Sequence, residues 1–203
     1  MTELVLVVAT GGLHLLFENV FHLKAPFIAL AGIFWTGWVI VQLRRRPGIA
    51  RAWGFRRDTL PAAAIACGAI VLVGAAGMFA WGARAGRLPL PAHFWFVAPL
   101  YPVWGLIQQF LLNALLARNL AARLPAVIAV PVAALLFGAV HLPDAVLAGL
   151  TFLAALAWVP VWLAWPNLWV LGASHGLLGA LAYYLVLGRD VWLELNRGTP
   201  WSG

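Results

Sequence analysis

Charged residues are scarce in this sequence: Asp, Glu, Lys and Arg together make up 9% of the 203 residues. The shortage is matched by an excess of hydrophobic residues, which account for 64% of the chain. A typical globular protein is about 25% charged and roughly 45–50% apolar. A water-soluble fold cannot bury this much apolar surface, so the composition excludes one and predicts that the lipid bilayer surrounds the protein.

Cysteine is also nearly missing, because Cys67 is the only one and it lies within an apolar run. An intramolecular disulfide and a cysteine-based metal cluster are therefore excluded. No polar stretch is long enough to fold separately, so residues 1–203 are expected to form a single integral membrane domain. The start Met1-Thr2-Glu3 has no positive n-region, and the first apolar run is expected to be retained rather than cleaved as a signal peptide.

Long apolar runs are the main feature that the sequence does contain. A membrane-spanning helix needs about 20 mainly apolar residues. Seven runs approach that length and predict an all-α, polytopic transmembrane helical bundle of about seven spans. The predicted spans are residues 4–23, 26–43, 60–83, 94–117, 126–141, 145–165 and 168–187.

The distribution of arginine predicts the orientation of this bundle. Cytoplasmic loops are enriched in Lys and Arg, and the loops after the second and fourth spans are the most basic, so the N-terminus is expected in the cytoplasm and the C-terminus outside. We attribute the net charge of +7 to this bias and to anionic lipid head groups rather than to nucleic acid. Abundant alanine and arginine beside a single lysine suggest a GC-rich bacterial genome and an inner-membrane location. The two basic loops hold Arg44, Arg45, Arg46, Arg51, Arg56, Arg57, Arg118 and Arg123; the opposite side holds Lys24, Arg84, Arg87, Arg189 and Arg197.

Polar residues inside predicted spans are costly in lipid, so each is either paired within the bundle or part of a functional site. On the first span, His14, Glu18 and His22 recur at steps of four, next to Asn19, and lie along one helical stripe. Imidazole and carboxylate suit zinc or iron, which makes a divalent metal site one interpretation. The favoured interpretation is that Glu18 is neutralised by a histidine partner.

Amides and two further histidines mark the later spans. Gln109 and Asn113 share a face of the fourth span, while Gln108 is offset from them by about 100°. Single amides in lipid are often hydrogen bonds between helices, worth only about 0.6 kcal/mol on average. His141 ends the fifth span and His175 lies in the seventh. Each residue alone fits a packing role, but the five together make a functional site an equally good interpretation.

The order of these motifs resembles the CPBP family of CAAX proteases and bacteriocin-processing enzymes, also called Abi, over residues 94–187. The family pattern is E-E-x3-R, then F-x3-H, then H-x3-N. Gln108 and Gln109 stand at the glutamates and Asn113 at the arginine, Phe137 and His141 match the second motif, and His175 with Gly179 matches the third. The resemblance implies that the catalytic positions are Gln108, Gln109, Asn113, His141 and His175. Phe137, Gly179 and Trp104 are candidate substrate-binding residues.

The departures from the family pattern affect the chemistry. The family glutamate activates the attacking water, whereas a glutamine amide cannot accept a proton near neutral pH. Asn113 also lacks the fixed cation that an arginine would supply. The replacements are mutually consistent, because a neutral amide set can satisfy its own hydrogen bonds without buried charges.

Three functions follow from these residues and remain open at this point. The first is a divergent family member that handles a hydrophobic or lipidated peptide without the usual peptidase chemistry. The second is an active intramembrane endopeptidase in which His141 or His175 acts as base, or Glu18 replaces the missing carboxylate. The third is a metal-dependent enzyme acting on a lipid-like substrate, with ligands drawn from His14, Glu18, His141 and His175.

Overall fold

The computed structural model describes residues 2–190 and 192–193, and this part of the chain is entirely helical apart from its loops and turns. This confirms the predicted all-α fold. The C-terminal residues, including Arg197, lie outside the described residues. The helices are α1 (Thr2–Asn19), α2 (Lys24–Arg45), α3 (Ile49–Ala52), α4 (Leu60–Arg84), α5 (Phe94–Ala121), α6 (Ala126–Ala139), α7 (Ala145–Ala164) and α8 (Leu168–Leu187).

Five of these helices, namely α2, α4, α5, α7 and α8, are long and apolar enough to cross a membrane. They agree with five of the predicted spans and support an integral membrane protein. The helices α1 and α6 coincide with the first and fifth predicted spans but are not among the five. The 14 residues of α6 rise about 21 Å at about 1.5 Å per residue, which is less than the ~30 Å hydrocarbon core. The count of seven spans therefore stays a prediction.

The predicted first span continues too far. Helix α1 ends at Asn19, and His22 has a φ of 56° in the left-handed region. A non-glycine residue rarely adopts this backbone conformation, and it cannot continue a right-handed helix. The expected stripe of three residues on one helix is wrong for this reason: His14 and Glu18 are on α1, whereas His22 lies in the turn that follows it.

Three glycines let helices α5 and α8 cross with their backbones in contact. A Cβ atom added to Gly176 would lie 2.4 Å from the nitrogen of Pro102, and one added to Gly105 would lie 2.5 Å from the carbonyl oxygen of Gly172. A Cβ on Gly172 would in turn lie 2.8 Å from the Cα of Leu106. Small residues permit this approach in membrane helices. The crossing fixes the relative height and rotation of the two helices.

Helix α5 changes its winding directly after Gln109. Residues Phe110–Ala117 are π-helical, and the amide of Arg118 donates to the carbonyl of Asn113, five residues earlier. π-Helical turns within α-helices are frequent at functional sites. The π-helical segment therefore begins directly after Gln108 and Gln109 and contains Asn113.

The two basic loops lie at the same end of the bundle as the first turn of α1. Glu3 is nearly buried and lies 2.6 Å from Arg118, at the end of α5, and 3.4 Å from Arg46, after α2. Asn119 Nδ2 donates to the same carboxylate at 2.9 Å. These contacts join the N-terminus to both loops, as expected if all three lie on one side of a membrane.

The loop before α4 carries a second charge cluster, which predicts an acid-sensitive contribution to stability. Arg56 Nε donates to Asp58 Oδ1 at 2.9 Å, and Arg51 lies 3.1 Å from Oδ2. The hydrogen bond from Arg56 lowers the pKa of Asp58 to about 2. A carboxyl whose pKa is lower in the folded chain stabilises the fold above its unfolded pKa of about 3.9, and this contribution is lost as the pH falls towards about 2.

Asp58→Asn should therefore reduce the fall in thermal unfolding midpoint between about pH 5 and pH 3. An unchanged fall would contradict this role of Asp58.

Candidate functional site

A cavity of about 1140 Å³ lies within the bundle and touches helices α1, α2, α4, α5, α6, α7 and α8. Most of its wall is apolar. Among the predicted site residues, the structure places His14, Glu18, Trp104, Gln108, Phe137, His141, His175 and Gly179 on this wall. Gln109 and Asn113 are fully buried and lie behind the wall. The glutamine pair is thus divided, with Gln108 at the cavity and Gln109 in the protein interior.

The buried amides and the histidine of α8 form one hydrogen-bonded chain. Asn113 Nδ2 donates to Gln109 Oε1, and Gln109 Nε2 lies 3.1 Å from His175 Nδ1. Because Gln109 uses its amide nitrogen as the donor, His175 Nδ1 is an acceptor and the ring proton is on Nε2. A protonated imidazole has no acceptor, so this chain is made of neutral groups. The amide set satisfies its hydrogen bonds only in part, because Asn113 Oδ1 is buried without a partner.

His141 has the opposite arrangement of its ring nitrogens. Its Nδ1 lies 2.8 Å from the carbonyl of Phe137 and 3.3 Å from the hydroxyl of Thr151. The Thr151 hydroxyl donates to the carbonyl of Leu147 at 2.8 Å, so its oxygen is free to accept from the imidazole. Nδ1 therefore carries the proton, which makes Nε2 the acceptor nitrogen of a neutral ring. On the cavity wall, His175 therefore has a donor at Nε2, whereas His141 has an acceptor at Nε2.

Aromatic side chains fix both imidazoles in place. The ring of Phe137 contacts His141 and His175 edge-on, at centroid distances of 5.2 and 5.8 Å. Trp158 of α7 stacks on His175 at 4.7 Å with an interplanar angle of 20°. Such contacts restrict ring rotation and are worth about 0.5–1.5 kcal/mol each beyond burial. The rigid arrangement of His175 comes from α5, α6 and α7 together.

The polar residues of α1 reach the same cavity. His14 Nε2 lies 3.0 Å from Glu18 Oε2, as the favoured interpretation of a carboxylate with a histidine partner predicts. His14 also contacts Phe27 of α2, with ring centroids 5.8 Å apart. Within residues 2–190 and 192–193, no three His, Cys, Asp or Glu side chains come close enough to hold a metal ion. The residues present therefore do not fit the divalent metal that the stripe allowed.

The cavity wall also holds residues that were not predicted as site residues, among them Trp158, Thr151, Asp144 and Arg189. Trp158 carries no sequence signal, because a tryptophan in an apolar helix is most often a packing residue. Asp144 could have been found, since Asp directly before an apolar run is typical of a helix N-cap. Its Oδ1 does accept from the amide of Leu147 at 3.0 Å. Arg189 follows Gly188, a residue type that commonly ends helices.

No protein-family model matches the chain, and neither a curated protein nor a solved structure matches it. The functional argument therefore rests on the cavity and on the side chains that line it.

Proposed function

We propose that this protein is a divergent member of the CPBP family that binds a hydrophobic or lipidated peptide within the membrane without glutamate-dependent peptidase chemistry. The observation that carries the proposal is the hydrogen-bonded chain from Asn113 through Gln109 to His175, at the wall of a large apolar cavity. Residues from all three family-like motifs meet there, since Phe137 of the second motif contacts His175 of the third. We further propose seven spans, a cytoplasmic N-terminus and a bacterial inner membrane.

The side chains at the glutamate positions argue against the usual hydrolysis. Gln109 uses its amide to orient His175, and Gln108 presents a second neutral amide to the cavity. Neither can take a proton from water near neutral pH. The site is instead suited to binding, because the amide of Gln108 offers both donors and an acceptor to a peptide backbone in the cavity.

The size and lining of the cavity support a hydrophobic ligand. Ligand pockets are typically about 300–1,000 Å³ and mainly apolar, with a few polar groups that fix orientation. This cavity has a similar volume, about 1140 Å³. An extended peptide or a lipid chain entering from the bilayer would leave one apolar environment for another, so the polar groups decide which ligand is selected.

Binding can be measured with the purified protein in nanodiscs and a fluorescent hydrophobic hexapeptide, with and without an S-farnesyl cysteine. We expect saturable binding and intact peptide by mass spectrometry. Gly32→Trp should weaken binding several-fold because Gly32 lines the cavity, whereas Gly149→Trp is a matched control because Gly149 is exposed and does not line it. Equal binding by both variants would place the ligand elsewhere, and no saturable binding by the unmodified protein would refute the proposal.

An active endopeptidase is the second candidate, and one observation favours it. Glu18 lines the same cavity as Gln108, His141 and His175, so a carboxylate from α1 is available to the site. In this case the unmodified protein would cleave the hexapeptide, and Glu18→Gln would remove about two orders of magnitude of activity, as expected for loss of a general base. Cleavage that survives both Glu18→Gln and His141→Ala would show that neither residue acts as the base.

A further inference from the structure

The cavity has a second polar feature, at the loop between α6 and α7. Asp144 Oδ2 lies 3.1 Å from Arg189 Nη2, and both residues line the cavity. The Arg189 side chain is 28% exposed, so a ligand in the cavity reaches its guanidinium, whereas Asp144 Oδ2 is buried. The pair belongs to neither the amide chain nor the His14–Glu18 pair.

The end of α8 places Arg189 at the cavity. Gly188 adopts a φ of 65°, and the amides of Gly188 and Arg189 both donate to the carbonyl of Tyr183. This closes the helix and directs the chain back over its last turn. The guanidinium of Arg87 donates to the carbonyls of Leu185 and Val186, which caps the same turn from the loop after α4. The position of Arg189 is therefore set by the fold rather than by its contact with Asp144.

The pair is better prepared to bind an anion than a cation. Asp144 uses Oδ1 to cap α7, and its Oδ2 is buried beside Arg189 without accepting a hydrogen bond, where a cation in the cavity does not reach it. A guanidinium has five N–H donors. Within the described residues, Asp144 is the side-chain partner found for Arg189, and it lies near one of these nitrogens. The remaining donors have the planar arrangement that binds a carboxylate through two hydrogen bonds.

We infer that Arg189 binds the free α-carboxylate of the peptide whose apolar part occupies the cavity. The inference rests on the proposed function, because it names the end of the hydrophobic peptide that the site recognises. The carboxylate of a peptide is ionised at neutral pH, with a pKa of about 3.5. Asp144, which lies beside the guanidinium, repels a second carboxylate, so it limits the affinity.

Two peptides test this without any mutation. The probe is an N-acetylated, fluorescent hydrophobic hexapeptide, made once with a free C-terminal carboxylate and once with a C-terminal amide, and titrated into the unmodified protein in nanodiscs of zwitterionic lipid. We expect the acid to bind about tenfold more tightly than the amide, the effect of one lost charge-assisted interaction. Equal affinity would overturn the inference but leave the proposed function intact, whereas binding of neither peptide would refute the proposed function.

Variants then assign the preference to Arg189. Arg189→Gln should abolish the difference between acid and amide while amide binding persists. Arg84→Gln is the matched control, since it removes an exposed arginine that does not line the cavity. A preference that survives Arg189→Gln, or that Arg84→Gln abolishes equally, would overturn the assignment.

Asp144→Asn gives an expected result of opposite sign. Asparagine caps a helix as well as aspartate does, so α7 keeps its N-cap while the competing charge is removed. The acid should bind several-fold more tightly to this variant, with little change for the amide. Weaker binding of the acid to this variant would contradict a role for Asp144 as competitor. If the unmodified protein bound a peptide with a free amino terminus more tightly than the N-acetylated acid, the cavity carboxylates of Asp144 and Glu18, not Arg189, would recognise the ligand.

Discussion

Gly176→Ala is expected to lower the free energy of unfolding by about 3 kcal/mol, the upper part of the range for overpacking a closely packed interior. The added Cβ would lie 2.4 Å from the nitrogen of Pro102 and 2.5 Å from its Cα. Both are backbone atoms, so helices α5 and α8 must separate. Separation also moves His175, the neighbouring residue, away from Gln109. We expect weaker binding of the hexapeptide as well as lower stability, measured by unfolding in mixed micelles with SDS.

The control for this substitution is another glycine in an apolar helix. Gly149→Ala adds the same methyl group to α7, where nothing lies within 4 Å of the new Cβ. Alanine favours a helix over glycine by about 1 kcal/mol, so this variant should be unchanged or slightly more stable. If Gly176→Ala were as stable as Gly149→Ala, the close crossing of α5 and α8 would be wrong.

Gln109→Leu is expected to destabilise the protein by about 2 kcal/mol or more, although leucine fills a similar volume. The substitution leaves His175 Nδ1 without its donor and Asn113 Nδ2 without its acceptor, and an unsatisfied buried polar group costs about 1–3 kcal/mol. His175 also loses the contact that fixes its tautomer. Nitrogen chemical shifts of the imidazole should therefore change from those of a single tautomer to an average of both.

The adjacent glutamine is the matched control. Gln108→Leu makes the same chemical change one residue earlier on α5, but Gln108 faces the cavity rather than His175. The Gln108→Leu variant should keep the stability and the His175 nitrogen shifts of the unmodified protein, while its affinity for the peptide changes. Equal destabilisation by both substitutions would contradict the division of the pair between cavity and interior.

Much of the fold could be predicted because apolar length is a strong signal in membrane proteins. The predicted starts of the third, sixth and seventh spans agree with helices that begin at Leu60, Ala145 and Leu168. The last two are preceded by Asp144 and Asn167, each of which accepts a hydrogen bond from an amide of the first turn. The end of α1 could not be predicted, since the residues after Asn19 are as hydrophobic as those before it.

The site could be predicted only in part because sequence spacing gives relative rotation and not absolute rotation. The spacing correctly separated Gln108 from Gln109, but only the packing of α5 on α8 decides which of them meets His175. The stacking of Trp158 on His175 joins residues on two helices and leaves no local pattern. One signal for the crossing was present, since Gly172 and Gly176 form the small-x3-small spacing that brings membrane helices together.

The neutral chain of Asn113, Gln109 and His175 has a consequence for how the protein responds to an energised membrane. A charge moved through the full transmembrane potential changes in energy by about 2.3 kcal/mol per 100 mV. Two acids and an arginine at these positions would couple their protonation to that voltage. Amides and a neutral imidazole carry no net charge, and Arg189 and Asp144 cancel one another. The geometry of this chain of three residues should therefore stay the same when the membrane potential collapses or recovers.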